Sequence, residues 1–383
     1  MDLAGGMACK LTRIRYTTST GNDGETLKKE SVVIKTLNPG TLPRSIQLGL
    51  AREAIFYRDF ATTVSTHHQG LLPTVYAADG DMASGQKVMM LEDLGAVGAI
   101  QLGYFFGPGS PHNWNRDLAA LTKDGGIVDS ADAARVAFEA MAALHAQFWC
   151  DQGLLDSGRH AWLRGAQWYA NATAVSTDGK STGDGGEKAF LAAQASAADC
   201  WATTRTKISN GDDGGVRWDS RLVAAMDASI ARASWPAYQS RIKSTVNYTL
   251  VHGDSHPANM MWVPTTRRLV LLDFEVVGVG SGPQDVGQFV VSHMSPLDRR
   301  AAEQKLVRGY YDAVINGGVD PVTFPWSECW REYGLGGTER WVWLLSLLTT
   351  MCPANMVQFF HDQVLAFMVD HGISAENIGM PRV

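Results

Sequence analysis

The pattern of apolar residues changes about ninety residues into the chain, and this change limits the folds that the chain can adopt. Before it, branched and alternating residues predict short strands around a single helix. The predicted strands are 8–18, 31–37, 75–76 and 87–91, and the predicted helix is 45–61. After it, apolar residues recur at helical spacing, most clearly at 131–150 and 341–369. We therefore predict an α+β fold with a small β-rich region at 1–91 and a large, mainly helical region at 92–383.

Composition predicts a globular protein with a small-molecule partner. Of the 383 residues, 45% are hydrophobic and 19% are charged, which suffices for a large core. A formal net charge of -6 makes nucleic acid or an anionic membrane a poor partner. The five cysteines are far apart and include no C-x-x-C pair, and the first twenty residues lack the pattern of a secretory signal. We therefore expect reduced thiols, no membrane segment and a cytoplasmic location.

The densest polar chemistry lies in two segments that each follow a strand-like run. The segment HGDSHPAN at 252–259 follows the run 248–251, and LLDFE at 271–275 ends the run 268–272. A loop and a Pro-Thr-Thr turn separate the two runs, so we predict that they pair as a hairpin. Their ends would then bring both polar segments to one site.

These segments supply two of the three groups that phosphoryl transfer requires, which are a carboxylate facing the acceptor hydroxyl, oxygen ligands for magnesium, and a cation on the phosphates. Asp254 is the candidate catalytic base. Asn259 offers a metal its neutral carbonyl oxygen. Asp273 and Glu275 offer hard carboxylates, and their i, i+2 spacing on an extended segment can direct both to one side.

The pattern H-x-D-x-x-x-x-N, followed by a strand and D-x-E, resembles the aminoglycoside phosphotransferases and the choline-kinase-like enzymes, among them the ecdysteroid-kinase-like ones. The similarity extends to VVIK at 32–35, ARE at 51–53, MLEDL at 90–94 and ALHAQFW at 143–149. It implies a two-lobed protein-kinase-like fold, with an N-lobe at 1–91 and a C-lobe at 92–383. It also implies an enzyme that uses ATP and Mg²⁺ to phosphorylate a hydroxyl of a small molecule.

The resemblance also implies roles for residues outside the two polar segments. Lys35 would hold the α- and β-phosphates, and Glu53 would orient Lys35. Backbone groups of Glu92 and Leu94 would hydrogen-bond adenine. Asp285 would anchor the catalytic segment rather than react.

The amino terminus departs from the family pattern. Such kinases begin with a strand before the loop that covers the phosphates, whereas here the segment LAGGMA at 3–8 follows Met1 almost at once. We therefore expect a first strand that is short or missing. Gly5 and Gly6 are the candidates for backbone that approaches the phosphates, because glycine has no side chain to obstruct the contact.

Two other functions stay open at this point. The segment H-x-D-x-H, with His252, Asp254 and His256, could join Asp273 and Glu275 as the metal cluster of a hydrolase. Alternatively, the chain is a degenerate kinase that binds nucleotide without turnover. Lys35, Glu53 and the segment MLEDL at 90–94 are explained only by the kinase fold, which argues against the hydrolase. The presence of both Asp254 and Asp273 favours turnover over a degenerate kinase.

The acceptor is not specified by these motifs, because its pocket would come from variable helices and loops of the larger region. Trp114 and Trp330 have acidic neighbours in the sequence, namely Asp117, Glu328 and Glu332. Aromatic faces and carboxylates would suit a cationic acceptor such as a quaternary amine. A neutral sugar or a sterol-like alcohol is the alternative.

Overall fold

A computed structural model of the chain describes residues 2–3, 9–20, 26–173, 185–212, 214–244 and 247–382. Its strands are β1 (Asp2–Leu3), β2 (Cys9–Thr20), β3 (Thr26–Leu37), β4 (Val75–Gly80), β5 (Lys87–Glu92), β6 (Ile100–Gln101), β7 (Thr249–Val251), β8 (Met260–Val263), β9 (Arg268–Leu271) and β10 (Gly278–Gly280). Its helices are α1 (Leu42–Leu48), α2 (Arg52–His67), α3 (Leu118–Leu121), α4 (Ser130–Gln147), α5 (Ser157–His160), α6 (Ala166–Thr173), α7 (Gly185–Ser209), α8 (Ser220–Ala231), α9 (Trp235–Ser244), α10 (Gly282–His293), α11 (Pro296–Asn316), α12 (Trp326–Arg331), α13 (Gly337–Met351) and α14 (Ala354–Asp370). The α+β class, with a small β-rich region before a large and mainly helical one, is confirmed.

The contacts within the chain divide it into two compact units. The first comprises 1–102, 119–126 and 258–277, and the second comprises 103–118, 127–257 and 278–383. The division therefore does not follow a single cut in the sequence. The boundary at residue 91 stays a prediction. Among the described residues, no helix is both long and apolar enough to cross a membrane.

The first unit is built on a five-stranded antiparallel sheet in the order β1-β2-β3-β5-β4. The central strand β3 contains the run VVIK, whose branched residues favour strand structure. Lys35 lies opposite Leu11 of β2 and Met89 of β5, so its backbone is inside the sheet. The predicted helix 45–61 is two helices, because Gly49 has a φ of 70° that ends α1.

The predicted hairpin between the two strand-like runs is wrong in its pairing. β7 pairs with β10, with Val251 opposite Gly278, whereas β9 pairs with β8, with Leu271 opposite Met260. The physical reason is the strand MMWV at 260–263, which was not predicted and occupies the edge of β9. Its register with β9 leaves the turn at 264–267 as the hairpin connection.

The second unit is helical, and α10 lies at its centre. All twelve residues of α10 are buried, and the helix packs against α4, α13 and α14. Gly287 of α10 faces Gly337 of α13 so closely that a Cβ added to Gly287 would lie 2.7 Å from the Gly337 Cα. This close approach brings the next residue of α10, Gln288, to within hydrogen-bond distance of Arg340 of α13.

Candidate active site

Lys35 of the central strand is held between two carboxylates of the first unit. Its Nζ lies 2.8 Å from Glu53 Oε1, in the first turn of α2, and 2.8 Å from Asp273 Oδ1, just after β9. The Glu53 side chain is 1% exposed and the Lys35 side chain 12% exposed, while that of Asp273 is 36% exposed. The structure thus brings together two of the residues implied by the resemblance and one of the predicted metal ligands.

Lys87, at the start of β5, is a second lysine that the sequence analysis missed. Its Nζ donates to Glu53 Oε2 at 2.9 Å and to Glu275 Oε1 at 2.5 Å, and its side chain is fully buried. Glu275 Oε1 also accepts from the Cys9 thiol at 3.3 Å. The only sequence signal was its place at the start of the otherwise apolar run KVMML at 87–91, and a lysine in such a place is more often solvent-exposed.

These contacts form one row of alternating charge, Asp273, Lys35, Glu53, Lys87 and Glu275, which we call the five-charge network. Both ends of the row belong to the D-x-E segment. Burial alone would raise the pKa of Glu53, but the two lysines outweigh it and lower that pKa to about 2. Burial alone would lower the pKa of each lysine, but the surrounding carboxylates, Glu53 foremost, raise both above their usual values. Both lysines therefore stay charged at neutral pH.

Glu275 has a different environment from Glu53. Burial and, next, the neighbouring Asp273 raise the pKa of Glu275 above its ordinary value. Burial likewise raises the pKa of the Cys9 thiol to about 12, so Cys9 is a neutral donor to this carboxylate at neutral pH.

The backbone around Asp273 is fixed by packing on both sides. Asp273 has a φ of 66°, a left-handed conformation that is uncommon for residues other than glycine and that often marks functional sites. Phe274 is fully buried and stacks on Phe56 of α2, with ring centroids 4.0 Å apart. Before the aspartate, the Leu272 N–H donates to Asn259 O at 2.9 Å. The predicted ligand Asn259 therefore lies beside the segment that contains Asp273 and Glu275.

The described residues offer one group of three or more acidic, histidine or cysteine side chains that can hold a metal ion. It consists of Glu53, Asp273 and Glu275, with one oxygen of each within 4.8 Å of the others. Oxygen donors of this kind suit Mg²⁺, which prefers hard ligands and retains water. The predicted ligands Asp273 and Glu275 thus fit a magnesium ion, and Glu53 is the additional carboxylate.

The predicted adenine contacts stay predictions. The Glu92 N–H donates to Thr74 O at 2.8 Å, and Leu94 O accepts from Ala99 N–H at 3.0 Å. The Glu92 side chain pairs with Arg268. Gly5 and Gly6 lie outside the described residues.

Asp254, the candidate base, lies in the second unit on a loop that Asp285 anchors. The carboxylate of Asp285 accepts from the N–H groups of His252 at 2.7 Å and Gly253 at 3.2 Å. Asp285 is fully buried, so these bonds exchange little with water. The His252 ring accepts from the Asp254 N–H at 3.3 Å, which is a structural contact of the kind expected for it.

Two residues that the sequence analysis missed orient the Asp254 carboxylate. Gln288 Nε2 donates to Asp254 Oδ1 at 3.1 Å, and Arg340 Nε donates to Gln288 Oε1 at 3.2 Å. Because the arginine takes the amide oxygen, the amide NH₂ must face Asp254. Arg340 also donates to Gly253 O, and it is 2% exposed. No motif signals this pair, since the two residues lie 52 positions apart on separate helices.

Three histidines cluster beside Asp254 in the same unit. The rings of His112, His256 and His293 are nearly parallel, with centroids 5.0 to 5.9 Å apart. His256 Nε2 lies 3.5 Å from Asp254 Oδ2. Burial lowers the pKa of His112 to about 4 and that of His293 well below its usual value. Burial alone would raise the pKa of Asp254, but His256 lowers it, so the carboxylate is ionised at neutral pH.

Two of the three acidic side chains proposed for a cationic acceptor, Glu328 and Glu332, are paired with arginines. Glu328 lies 2.7 Å from Arg331, and Glu332 binds both Arg331 and Arg382. Trp330 packs in an aromatic cluster, with its ring 5.5 Å from that of Tyr333. These contacts favour a structural role for this region, and the acceptor class stays open.

Comparison with known proteins gives one family model and several solved structures. A family model described as "Uncharacterized oxidoreductase dhs-27" (DUF1679) matches residues 237–362, about a third of the chain. That stretch includes Asp254, Asp273, Gln288 and Arg340. A search of curated proteins returned no match.

The solved structures are small-molecule kinases and phosphotransferases. A choline kinase from Cryptosporidium parvum Iowa II is 10% identical over 98% of this chain and 91% of its own, with a TM-score of 0.48. An ethanolamine kinase from Plasmodium vivax is 8% identical over 97% of this chain and 82% of its own, with a TM-score of 0.45. A macrolide 2'-phosphotransferase from Brachybacterium faecium is 14% identical over 92% of this chain and 91% of its own, with a TM-score of 0.39.

Such identities and TM-scores do not assign an activity, which has to be argued from the residues. The comparison returns the choline-kinase-like class of enzymes that the sequence motifs resemble.

Proposed function

We propose that the chain is an ATP-dependent kinase that transfers the γ-phosphoryl group to a hydroxyl of a small molecule. The observation that carries this proposal is the position of Lys35, whose ammonium lies 2.8 Å from both Glu53 and Asp273. Phosphoryl transfer requires a fixed cation beside the residue that holds the metal. Glu53 and Asp273 lie 18 and 238 positions from Lys35 in the chain, and the three side chains meet in that arrangement.

In this proposal the first unit binds the phosphates. Lys35 would secure them, and Glu53 would keep the lysine in place. Asp273, with Asn259 and Glu275 nearby, would hold Mg²⁺ through hard oxygen ligands. When bound, magnesium neutralises negative charge on the phosphates.

Asp254 would orient the acceptor. Because its pKa is lowered, its carboxylate is ionised at neutral pH and is a weak base that accepts the hydrogen bond of the acceptor hydroxyl. As the acceptor oxygen forms its bond to the γ-phosphorus, the bond from that phosphorus to the leaving oxygen of ADP breaks. The hydroxyl proton passes to Asp254 and then to solvent.

The two alternatives are less well supported. The metal hydrolase needs His252, Asp254 and His256 as ligands, yet the one metal-ligating group among the described residues contains no histidine. A degenerate kinase does not require a base whose carboxylate is oriented by a buried Gln288 and Arg340.

The test is magnesium-dependent ADP release from purified protein with a panel of choline-like cations, aminoglycosides, sugars and sterols. We expect Asp254→Ala to lose acceptor-dependent release and to keep nucleotide binding, and Asp273→Ala to weaken binding of the magnesium nucleotide as well. The matched control is Asp312→Ala, since Asp312 is 51% exposed on α11 and pairs only with Arg308 among the contacts the structure describes. Near-normal turnover by Asp254→Ala would refute the assignment of the base. Nucleotide binding without turnover on any acceptor would favour the degenerate kinase.

A further inference from the structure

The proposed function gives Lys35 a role but assigns none to Lys87. A fully buried ammonium group is costly unless it is paired, and within the described part of the chain Lys87 pairs with Glu53 and Glu275. A lysine in this place therefore has its effect through those two carboxylates. One of them, Glu275, is a candidate metal ligand.

The charges of the network explain why such a lysine matters. Glu53, Asp273 and Glu275 place three carboxylate oxygens within 4.8 Å of one another, which is a ligand set for a divalent cation. Lys35 bridges Glu53 and Asp273, and Lys87 bridges Glu53 and Glu275. With both lysines the network has a net charge of -1, and without Lys87 it would have -2.

The two lysines differ in how they can respond to a nucleotide. Lys35 is 12% exposed and contacts the 36% exposed Asp273, so the phosphates can reach it. Lys87 is fully buried, and its partner Glu275 is 18% exposed and also receives the Cys9 thiol. Lys87 therefore offers no exposed surface to a nucleotide, and its contacts are with Glu53 and Glu275.

We propose that Lys87 is a positioning residue that holds Glu275 and prevents the three carboxylates from binding a divalent cation by themselves, so that the metal enters with the nucleotide. The role of the metal in this proposal rests on the proposed kinase function. The effect on the carboxylates is a property of the five-charge network alone.

The test measures binding of Mn²⁺ alone, without nucleotide, from the electron paramagnetic resonance signal of the unbound ion. We expect weak binding by the unmodified protein and at least tenfold tighter binding by Lys87→Met. Lys87→Met removes the repulsion between the Lys87 ammonium and a cation held by the neighbouring carboxylates. At such short range and an effective dielectric of about 20, this repulsion is large enough that a tenfold change is a low threshold. Lys87→Arg keeps the charge and should leave binding weak.

Two controls separate the proposal from a general effect of charge or of folding. Lys29→Met removes an exposed lysine from β3, the strand of Lys35, and should not change Mn²⁺ binding. The double variant Lys87→Met/Glu275→Gln should lose the added affinity, because the released carboxylate is then absent. Circular dichroism establishes which variants are folded.

A folded Lys87→Met protein that binds Mn²⁺ no more tightly than the unmodified protein would overturn the proposal. If Lys87→Met does not fold, Lys87→Gln decides, because its amide can still donate to the carboxylates while the positive charge is removed: it should also bind Mn²⁺ at least tenfold more tightly than the unmodified protein, and equal binding would overturn the proposal. Binding of Mn²⁺ alone needs no turnover. A failed search for an acceptor therefore leaves this result intact, and a failure here leaves the test by ADP release intact.

Discussion

We expect the Gln288→Glu variant to lose catalytic activity as the pH rises, because the new glutamate places a second carboxylate beside that of Asp254. The amide nitrogen that the substitution replaces lies 3.1 Å from Asp254 Oδ1. When that glutamate is protonated, its O–H donates to Asp254 as the amide does, and the base keeps its orientation. When both groups are ionised, they repel each other and the orientation is lost.

The size of the effect follows from this distance. Two unit charges at about 3 Å and an effective dielectric of about 20 interact by about 5 kcal/mol. Because the Asp254 side chain is 35% exposed, solvent and salt screen the pair, and we take about half of this value. About 2.5 kcal/mol corresponds to about two pKa units. Burial of residue 288 and the Arg340 guanidinium, 3.2 Å from its other side-chain oxygen, act on this pKa in opposite directions, so the repulsion by Asp254 raises a glutamate of ordinary pKa about 4.3 to roughly 6.

The assay is the pH dependence of kcat/KM for ADP release, corrected at each pH for the folded fraction. We expect Gln288→Glu to approach the unmodified activity below about pH 5 and to be at least tenfold less active by pH 8, with a transition near about pH 6. Gln363→Glu is the control, since Gln363 is also buried and, among the described residues, donates its amide to the backbone carbonyls of Val291 and Met294. A Gln288→Glu protein with the same relative activity at every pH would refute the orienting role of this residue.

Two further predictions concern stability. Glu53 has a pKa near 2 in the folded chain, below its ordinary value, so its ion pairs stabilise the fold above about pH 4 and lose this effect as the pH falls toward 2. Glu53→Gln should therefore lower the Tm most at neutral pH, and thermal melts that differ equally at pH 7 and pH 3 would contradict this. Gly287→Ala would place its Cβ 2.7 Å from the Gly337 Cα, so α10 and α13 must separate at a cost of about 1–3 kcal/mol in the free energy of unfolding. Urea unfolding measures this loss against Gly309→Ala, where the added Cβ meets nothing within 4 Å, and equal midpoints would contradict it.

Local patterns in the sequence predicted most of the secondary structure. Branched residues in VVIK and helical spacing in 131–150 are signals between near neighbours, and the structure has β3 and α4 in those places. The sequence also predicted the pair Lys35 and Glu53, through a resemblance in which the spacing of motifs is preserved. What it missed locally was the break at Gly49 and the short strand at 260–263.

Only the tertiary structure decided which charges and amides meet. Lys87 joins Glu53 and Glu275 because β5 lies beside β3 and α2 packs on the same sheet, a contact between residues 34 and 188 positions apart. Gln288 faces Arg340 because two glycines let α10 and α13 approach closely. A single charged or amide residue has no periodicity, so its partner depends on how the elements pack. For this chain, the sequence determined most of the elements and the spacing of its motif, and packing determined how the carboxylates are paired and oriented.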